Sequence, residues 1–297
     1  MPRTRWTPLP SWSVVAVTGR DARAFLQGQL TSDLLALDRH PGMLAGACNR
    51  QGRVLAVLRL AARGDAILLL LPRAMAPLVV AHLSRFVMRS AVGFEHAPDA
   101  VVGLIDAPPT LQSAAAAAGL AVMVAGPRRT VLVGARGQAD QVLGGQPQAA
   151  PDDWEAASIE DGEPAIYPET SGLWVPQMIN LDLLGAVSFS KGCYQGQEIV
   201  ARAQHLGRIK RRMLRYAGPA GEPPGPGQML HAAREPAAQV VRACALGTSQ
   251  CLAVVSLGDC GELLGAAPDG REFVPADLPY AIPAAMPEAV EESSSAG

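Results

Sequence analysis

The chain has 297 residues, 49% of them apolar and 18% charged, with a formal net charge of −2; this describes a globular protein of two or three cores and excludes a disordered chain. So small a charge gives no overall attraction to nucleic acid or to a membrane surface. Five cysteines without a C-x-x-C pair exclude a disulfide framework and a common zinc site, and they indicate a reducing compartment.

The N-terminal text lacks the apolar stretch of a secretory signal, and no window reaches the roughly 20 apolar residues that cross a bilayer. A soluble, cytoplasmic, monomeric chain without membrane contact is expected. Residues 13–33, S-V-V-A-V-T-G-R-D-A-R-A-F-L-Q-G-Q-L-T-S-D, read as a strand, a turn at Thr18 and Gly19, and a helix carrying Ala24, Phe25, Leu26 and Leu30 that Thr18 or Asp21 caps. From Val54 two apolar runs, V-L-A-V-L-R-L and A-I-L-L-L-L, flank A-A-R-G-D as a hairpin. A helix is expected over 73–88, strands near Phe94 and at 101–105, an Ala-rich helix at 111–118 and a strand at 130–133. The order β-β-α-β-β-α-β implies an antiparallel sheet with helices on one face, akin to ferredoxin-like α+β folds. Residues 138–153, rich in Gly, Gln, Pro and Asp, read as a linker. Beyond Arg215, short apolar runs after G-P-A-G-E-P-P-G-P-G read as a small β-barrel or sandwich, and the last dozen residues as a disordered tail.

The densest chemical text is K-G-C-Y-Q-G-Q-E at 191–198. Gly192 and Gly196 can take backbone angles closed to other residues and let backbone or ligand approach closely, so the segment reads as a shaped loop. The following I-V-A-R-A-Q-H-L has Ile199, Val200, Ala203 and Leu206 at helical spacing, so the loop feeds a helix N-terminus. That terminus and Lys191 both favour the thiolate of Cys193.

Other features weigh less. Residues 202–215 hold Arg202, Arg208, Lys210, Arg211, Arg212 and Arg215, the one basic concentration of the chain. It is open between a solvated face and a contact with RNA phosphates, the glutamate tail of a ligand or an acidic partner; with Tyr216 the only flanking aromatic, no base-stacking platform is expected. Cys244, Cys251 and Cys260 lie in apolar text and read as buried packing residues. No histidine spacing or close thiolate spacing offers a metal centre, and no phosphate-binding loop of the P-loop type occurs.

Three blocks together carry a family likeness: T-G-R-D-A-R-A-F-L-Q-G-Q-L-T-S-D at 18–33, the segment from G-E-P-A-I to V-P-Q-M-I-N-L-D at 162–182, and V-S-F-S-K-G-C-Y-Q-G-Q-E-I-V-A-R at 187–202. In these the chain resembles the YgfZ-type folate-binding proteins, relatives of the glycine-cleavage T-protein, an aminomethyltransferase. The resemblance implies an α+β, three-domain ring of the aminomethyltransferase type: a discontinuous folate-binding domain from 1–50 and 151–207, a ferredoxin-like insert at 51–150, a C-terminal β-barrel at 208–284 and a tail at 285–297. It implies tetrahydrofolate or another folate as cofactor, with Trp12 and Trp154 as its contacts, and Cys193 as a candidate functional thiol presented to the ring opening. The motif residues are Lys191, Gly192, Tyr194, Gly196, Gln197, Glu198 and Arg202; no metal ligands are implied.

The implied role is accessory: support for the synthesis or repair of iron–sulfur enzymes and, through them, tRNA modification. Iron–sulfur enzymes or their assembly factors are the implied partners, with direct tRNA contact left open. The alternative is a folate-dependent one-carbon transferase acting on a small amine or on RNA. Against it, aligning the Asn49 to Gly52 turn with that of the aminomethyltransferases puts Ala56 and Val57 where those enzymes keep paired aspartates, and 53–62 contains no Asp or Glu. Without a carboxylate there to exchange a proton, aminomethyl transfer by that mechanism is not expected.

Overall fold

The computed structural model describes residues 3–97, 99–205, 209–232, 235–257, 264–266 and 270–283. The first two strands, β1 (Arg5–Pro8) and β2 (Trp12–Thr18), join different sheets. β2 runs inside an antiparallel five-stranded sheet of order β3-β4-β5-β2-β6, with β3 at Met43–Cys48, β4 at Val54–Arg63, β5 at Ala66–Pro72 and β6 at Gly93–Ala97. β1 is the edge of a second sheet, order β1-β7-β9-β8, with β7 at Ala100–Ile105, β8 at Ala121–Val124 and β9 at Arg129–Gly134.

Alternation along the strands explains how the sheets stack. Val15, Val17, Ile67, Leu69 and Leu71 enter one core with Phe25 and Leu26 of α1 (Ala22–Gln27) and Val79 and Leu83 of α2 (Ala76–Ser84). Their neighbours Val14, Ala16, Leu68 and Leu70 pack instead against Val101, Ile105, Val131 and Val133 of the second sheet. On the far face of that sheet, Val102, Leu104 and Leu132 meet α3 (Pro109–Ala117) and α4 (Arg136–Leu143). The result is four layers, helix on sheet on sheet on helix. Strands buried on both faces lose polar alternation, which is why β5 reads as an unbroken run of leucines.

Residues 51–150 therefore do not form one ferredoxin-like sheet. The strands up to Ala97 pair with β2 and β3 of the N-terminal segment, and only those from Ala100 onward, completed by β1, build the second sheet. Pairing partners so distant in sequence leave no local trace. Three strands, β1, β3 and β8, carry no expectation from the sequence, and most of α4 and the start of α5 (Pro151–Glu160) fall in the text read as a linker. The helix expected over 73–88 is a 3-10 turn at Arg73–Met75 followed by the shorter α2. Asp21 stands at the N-cap of α1, but its side chain makes no cap; its Oδ2 accepts the backbone N–H of Ala91 at 2.7 Å.

The C-terminal strands close a barrel of order β10-β13-β12-β11-β14-β15, with β10 at Arg211–Gly218, β11 at Met229–Ala232, β12 at Glu235–Leu246, β13 at Thr248–Ser256, β14 at Leu264–Ala266 and β15 at Arg271–Ala276. Tyr216, Leu230, Val240, Ala253 and Phe273 fill it. A bulge between Val240 and Arg242 breaks the β12 register. Helix α6 (Gln197–His205) follows the cysteine motif as the spacing predicts. Cys244 and Cys251 are buried, whereas Cys260, Leu206, Arg208 and the tail at 285–297 lie outside the described residues. Among the described residues no helix is long and apolar enough to cross a membrane.

Candidate functional site

A cavity of about 790 Å³ lies where the three sheets meet. Met43, Leu44 and Arg59 line it from the first sheet, Val124 and Arg129 from the second, and Pro279 and Tyr280 from the segment that leaves the barrel. Its floor is an ion network. Glu163 Oε2 receives Arg59 Nη2 at 2.7 Å and Arg129 Nη2 at 2.5 Å. Arg129 also donates to Asp161 Oδ2 at 2.6 Å, Ser158 Oγ at 2.7 Å and the Ala125 carbonyl at 2.9 Å. Arg242, carried into this layer by the β12 bulge, gives its Nε to Glu155 at 2.8 Å and Nη1 to the Glu163 carbonyl at 3.4 Å. Burial alone would raise the Glu163 carboxyl, but Arg129, Arg59 and Arg242 outweigh it and hold its pKa at about 2.

Chain geometry fixes this floor. α5 ends at Glu160, and Gly162, at φ +65°, turns the chain so that Asp161 and Glu163 face the arginines. No other residue fits that turn, since an added Cβ would lie 2.5 Å from the Tyr280 hydroxyl, which itself donates to the Gly162 carbonyl at 2.8 Å. Arg39, a cation, and His40, both exposed, complete the lining.

The two tryptophans singled out in the sequence come together, but behind the floor and not in the cavity lining. Trp154 is 2% exposed: one side abuts Gly103, where a Cβ would sit 2.5 Å from its Cε3, and the Arg129 guanidinium lies 5.1 Å from its ring centre. Trp12 is half-buried, with the Arg242 guanidinium 5.8 Å from its ring centre. Each indole thus backs an arginine that reaches the Glu163 segment. The expected grip of two indoles on a flat heterocycle has no free Trp154 face to use.

Cys193 is exposed and does not line the cavity. Its loop is shaped as the glycines imply. Gly196 takes φ +80°, and a Cβ there would lie 2.5 Å from the Asn49 carbonyl oxygen and 2.9 Å from Gly52 Cα, so the loop seats glycine against glycine on the turn between β3 and β4. Asn49 stiffens that turn, its Oδ1 accepting the N–H groups of Gln51 and Arg53 at 3.0 Å. Lys191 serves the backbone: its Nζ donates to the carbonyls of Gln27, Leu30 and Ser32 at 2.6, 2.8 and 2.7 Å. Burial lowers its pKa to about 8, with Asp33 opposing. It also sits 5.3 Å from the ring centre of Tyr194, the buried anchor of the loop. Gln197 opens α6 and its Oε1 accepts the Tyr194 N–H, while Glu198 and Arg202 pair across one exposed helical turn at 3.6 Å. Gly192 is exposed beside the thiol.

The network residues Arg59, Arg129, Asp161, Glu163 and Arg242 went unnoticed in the sequence. Only a mid-strand arginine in the otherwise apolar run of β4 marks Arg59, since a charge there must be paired. The basic stretch at 202–215 does not form a single face: Arg212 is buried on Asp182 at 2.6 Å and Arg215 reaches Gln250 at 2.8 Å. Ala56 and Val57 are buried strand residues, as their apolar character implies.

No family model matches the chain. Among curated proteins it is similar to the tRNA-modifying protein YgfZ of Yersinia pestis, 32% identical over 242 residues that make up 75% of this chain and 73% of that one. The tRNA-modifying protein YgfZ of Vibrio atlanticus is 28% identical over 233 residues, 75% of this chain and 72% of that protein. Among solved structures, the glycine cleavage system aminomethyltransferase T from Bartonella henselae superposes with a TM-score of 0.72 over 93% of this chain and 86% of that one, at 15% identity. That likeness establishes an aminomethyltransferase-like fold.

Proposed function

The chain belongs to the YgfZ family, and from that premise we propose that it is a tetrahydrofolate-binding accessory protein supporting the synthesis or repair of iron–sulfur enzymes and, through them, tRNA modification. The observation that carries the folate reading is the cavity at the junction of the three sheets. Its volume falls in the range of small-molecule sites, about 300–1,000 Å³. A folate needs flat apolar walls, polar groups at the pterin edge and cations near its glutamate. Pro41, Val124, Pro127, Leu184 and Tyr280 supply walls, Asp161 a lining carboxylate, Arg39 a cation and His40 a hydrogen-bonding ring. These residues fit the group. Bound there, tetrahydrofolate would supply a one-carbon carrier, while Arg129 and Arg59 hold the acidic floor fixed in charge and orientation.

The transferase reading has less support. Glu163, ionised down to a pKa of about 2, does not exchange protons near neutrality, and β4 offers only Ala56 and Val57. Cys193 acts in this proposal as an exposed functional thiol working outside the folate cavity, with Lys191, Tyr194 and Gly196 positioning its loop. Trp12 and Trp154 serve the folate through Arg242 and Arg129.

Titration of tetrahydrofolate against the protein, followed by calorimetry and by quenching of the indole fluorescence, tests the binding step. Saturable one-to-one binding is expected; absence of heat and quenching at millimolar ligand would remove the folate reading. The accessory role is read separately, as restored activity of iron–sulfur enzymes when the gene complements a null strain.

A further inference from the structure

The floor of the central cavity is built with arginines, yet it leaves acceptors open to a ligand. Arg59 Nη1 donates to the carbonyls of Gly42 and Val124 at 2.5 and 2.8 Å, and its Nη2 to that of Ala125 at 3.2 Å. Arg129 is likewise turned onto protein oxygens, those of Asp161, Ser158, Ala125 and Glu163. The carboxylates are engaged at one oxygen each: Asp161 at Oδ2 by Arg129, Glu163 at Oε2 by both arginines. Asp161 Oδ1 and Glu163 Oε1 accept no hydrogen bond from the described residues. Neither is one of the enclosed, unpartnered atoms of the interior, so both open onto the cavity that their residues line. Glu163 is 6% exposed, and an acceptor held that deep calls for a donor.

We infer that Asp161 and Glu163 set the specificity of the cavity by reading the donor edge of the ligand's heterocycle, the ring N–H and exocyclic amino group of an amino-oxopyrimidine. The charge count selects a neutral group. Two guanidinium groups already face the two carboxylates, so a cationic amine finds no unbalanced charge, and an anion would meet carboxylate oxygens. With its pKa at about 2, Glu163 is an acceptor only at neutral pH. The two residues flank Gly162 in one turn, and a ring edge with adjacent donors answers two such acceptors. Seating the heterocycle on the floor leaves the acidic tail of the ligand for the exposed Arg39. This rests on the folate reading of the cavity and deepens it.

The test is calorimetry of the full chain with tetrahydrofolate and with an analogue in which a methyl group replaces the amino group of the pyrimidine ring. Wild type should bind the analogue about 10- to 100-fold more weakly, the range for losing a hydrogen bond to a charged acceptor. Asp161→Asn keeps an oxygen for Arg129 and turns the other acceptor into a donor. It should lose as much affinity for tetrahydrofolate and little for the analogue, a pattern that a merely loosened cavity would not give. Inorganic pyrophosphate should not displace tetrahydrofolate. Equal wild-type affinity for the two ligands would overturn the inference with no variant involved. So would unchanged tetrahydrofolate affinity in Asp161→Asn, or displacement by millimolar pyrophosphate. In each of those outcomes tetrahydrofolate still binds and the folate reading stands, whereas absence of binding by both ligands removes that reading and this inference with it.

Discussion

The central cavity and the cysteine loop achieve fixed geometry by opposite means. Around the cavity, three arginines from three different sheets are buried and charge-matched with Glu155, Asp161 and Glu163, so its floor is held by long-range ion pairs. At the loop, an exposed thiol is held by backbone devices without ion pairs: a positive-φ glycine seated on the 49–52 turn, a lysine on three carbonyls and one buried tyrosine. Damage to the first should spread through the molecule, because removing one partner leaves the others buried and uncompensated. Damage to the second should stay local. The cavity and the exposed thiol can thus be changed independently although both belong to one chain.

The sharpest way to break the contrast is Glu163→Ala. It strips Arg59 of its carboxylate and leaves Arg129 with Asp161 alone, and it should cost about 3–5 kcal/mol in urea unfolding; a loss below about 1 kcal/mol would show that the network is not what joins the sheets. The same carboxyl sets an acid limit. Its folded pKa of about 2 lies below its ordinary 4.5, so its contribution is complete above pH 4.5 and is lost as the pH falls from there toward 2. Urea midpoints across that window should fall in the wild type and fall less steeply in Glu163→Gln. Next in size, Gly196→Ala forces a Cβ onto Asn49 at φ +80° and should cost about 1–3 kcal/mol. Hydrogen exchange should report that loss in the 191–198 loop and its 49–52 seat, with the second sheet keeping wild-type protection. Smallest for stability is Cys193→Ala, expected within about 0.5 kcal/mol because the thiol is exposed. In complementation of a null strain the same change should abolish function, and full complementation would remove the thiol from the mechanism.

The two regions also differed in how openly the sequence displayed them. The loop could be read because its own signals are contiguous, two glycines, a lysine and the helical spacing that becomes α6, whereas its seats on the 49–52 turn and on the carbonyls of Gln27, Leu30 and Ser32 left no local mark. The cavity could not, because Arg59, Arg129, Glu163 and Arg242 are far apart in sequence and meet only after two sheets stack and a β12 bulge turns Arg242 inward. α5 had a legible start that the Gly- and Gln-rich text before it obscured. Pro151 sits at its first position, Asp152 and Asp153 in its first turn, and Asp153 accepts the Ala150 N–H at 3.0 Å. Trp154 was marked by the family resemblance, yet a resemblance does not say which way a ring faces. Its surroundings, Gly103 on one side and Arg129 on the other, belong to strands that local pattern places correctly and pairs wrongly.

The proposed separation of a folate cavity from the thiol is tested most directly by tetrahydrofolate calorimetry on three proteins: wild type, Leu184→Trp, which fills the cavity with an indole, and Cys193→Ala. The expected result is equal affinity for wild type and Cys193→Ala, and a loss of at least tenfold for Leu184→Trp, about 1.4 kcal/mol. Unchanged affinity in Leu184→Trp together with lost affinity in Cys193→Ala would place the ligand at the loop and contradict the assignment of the cavity.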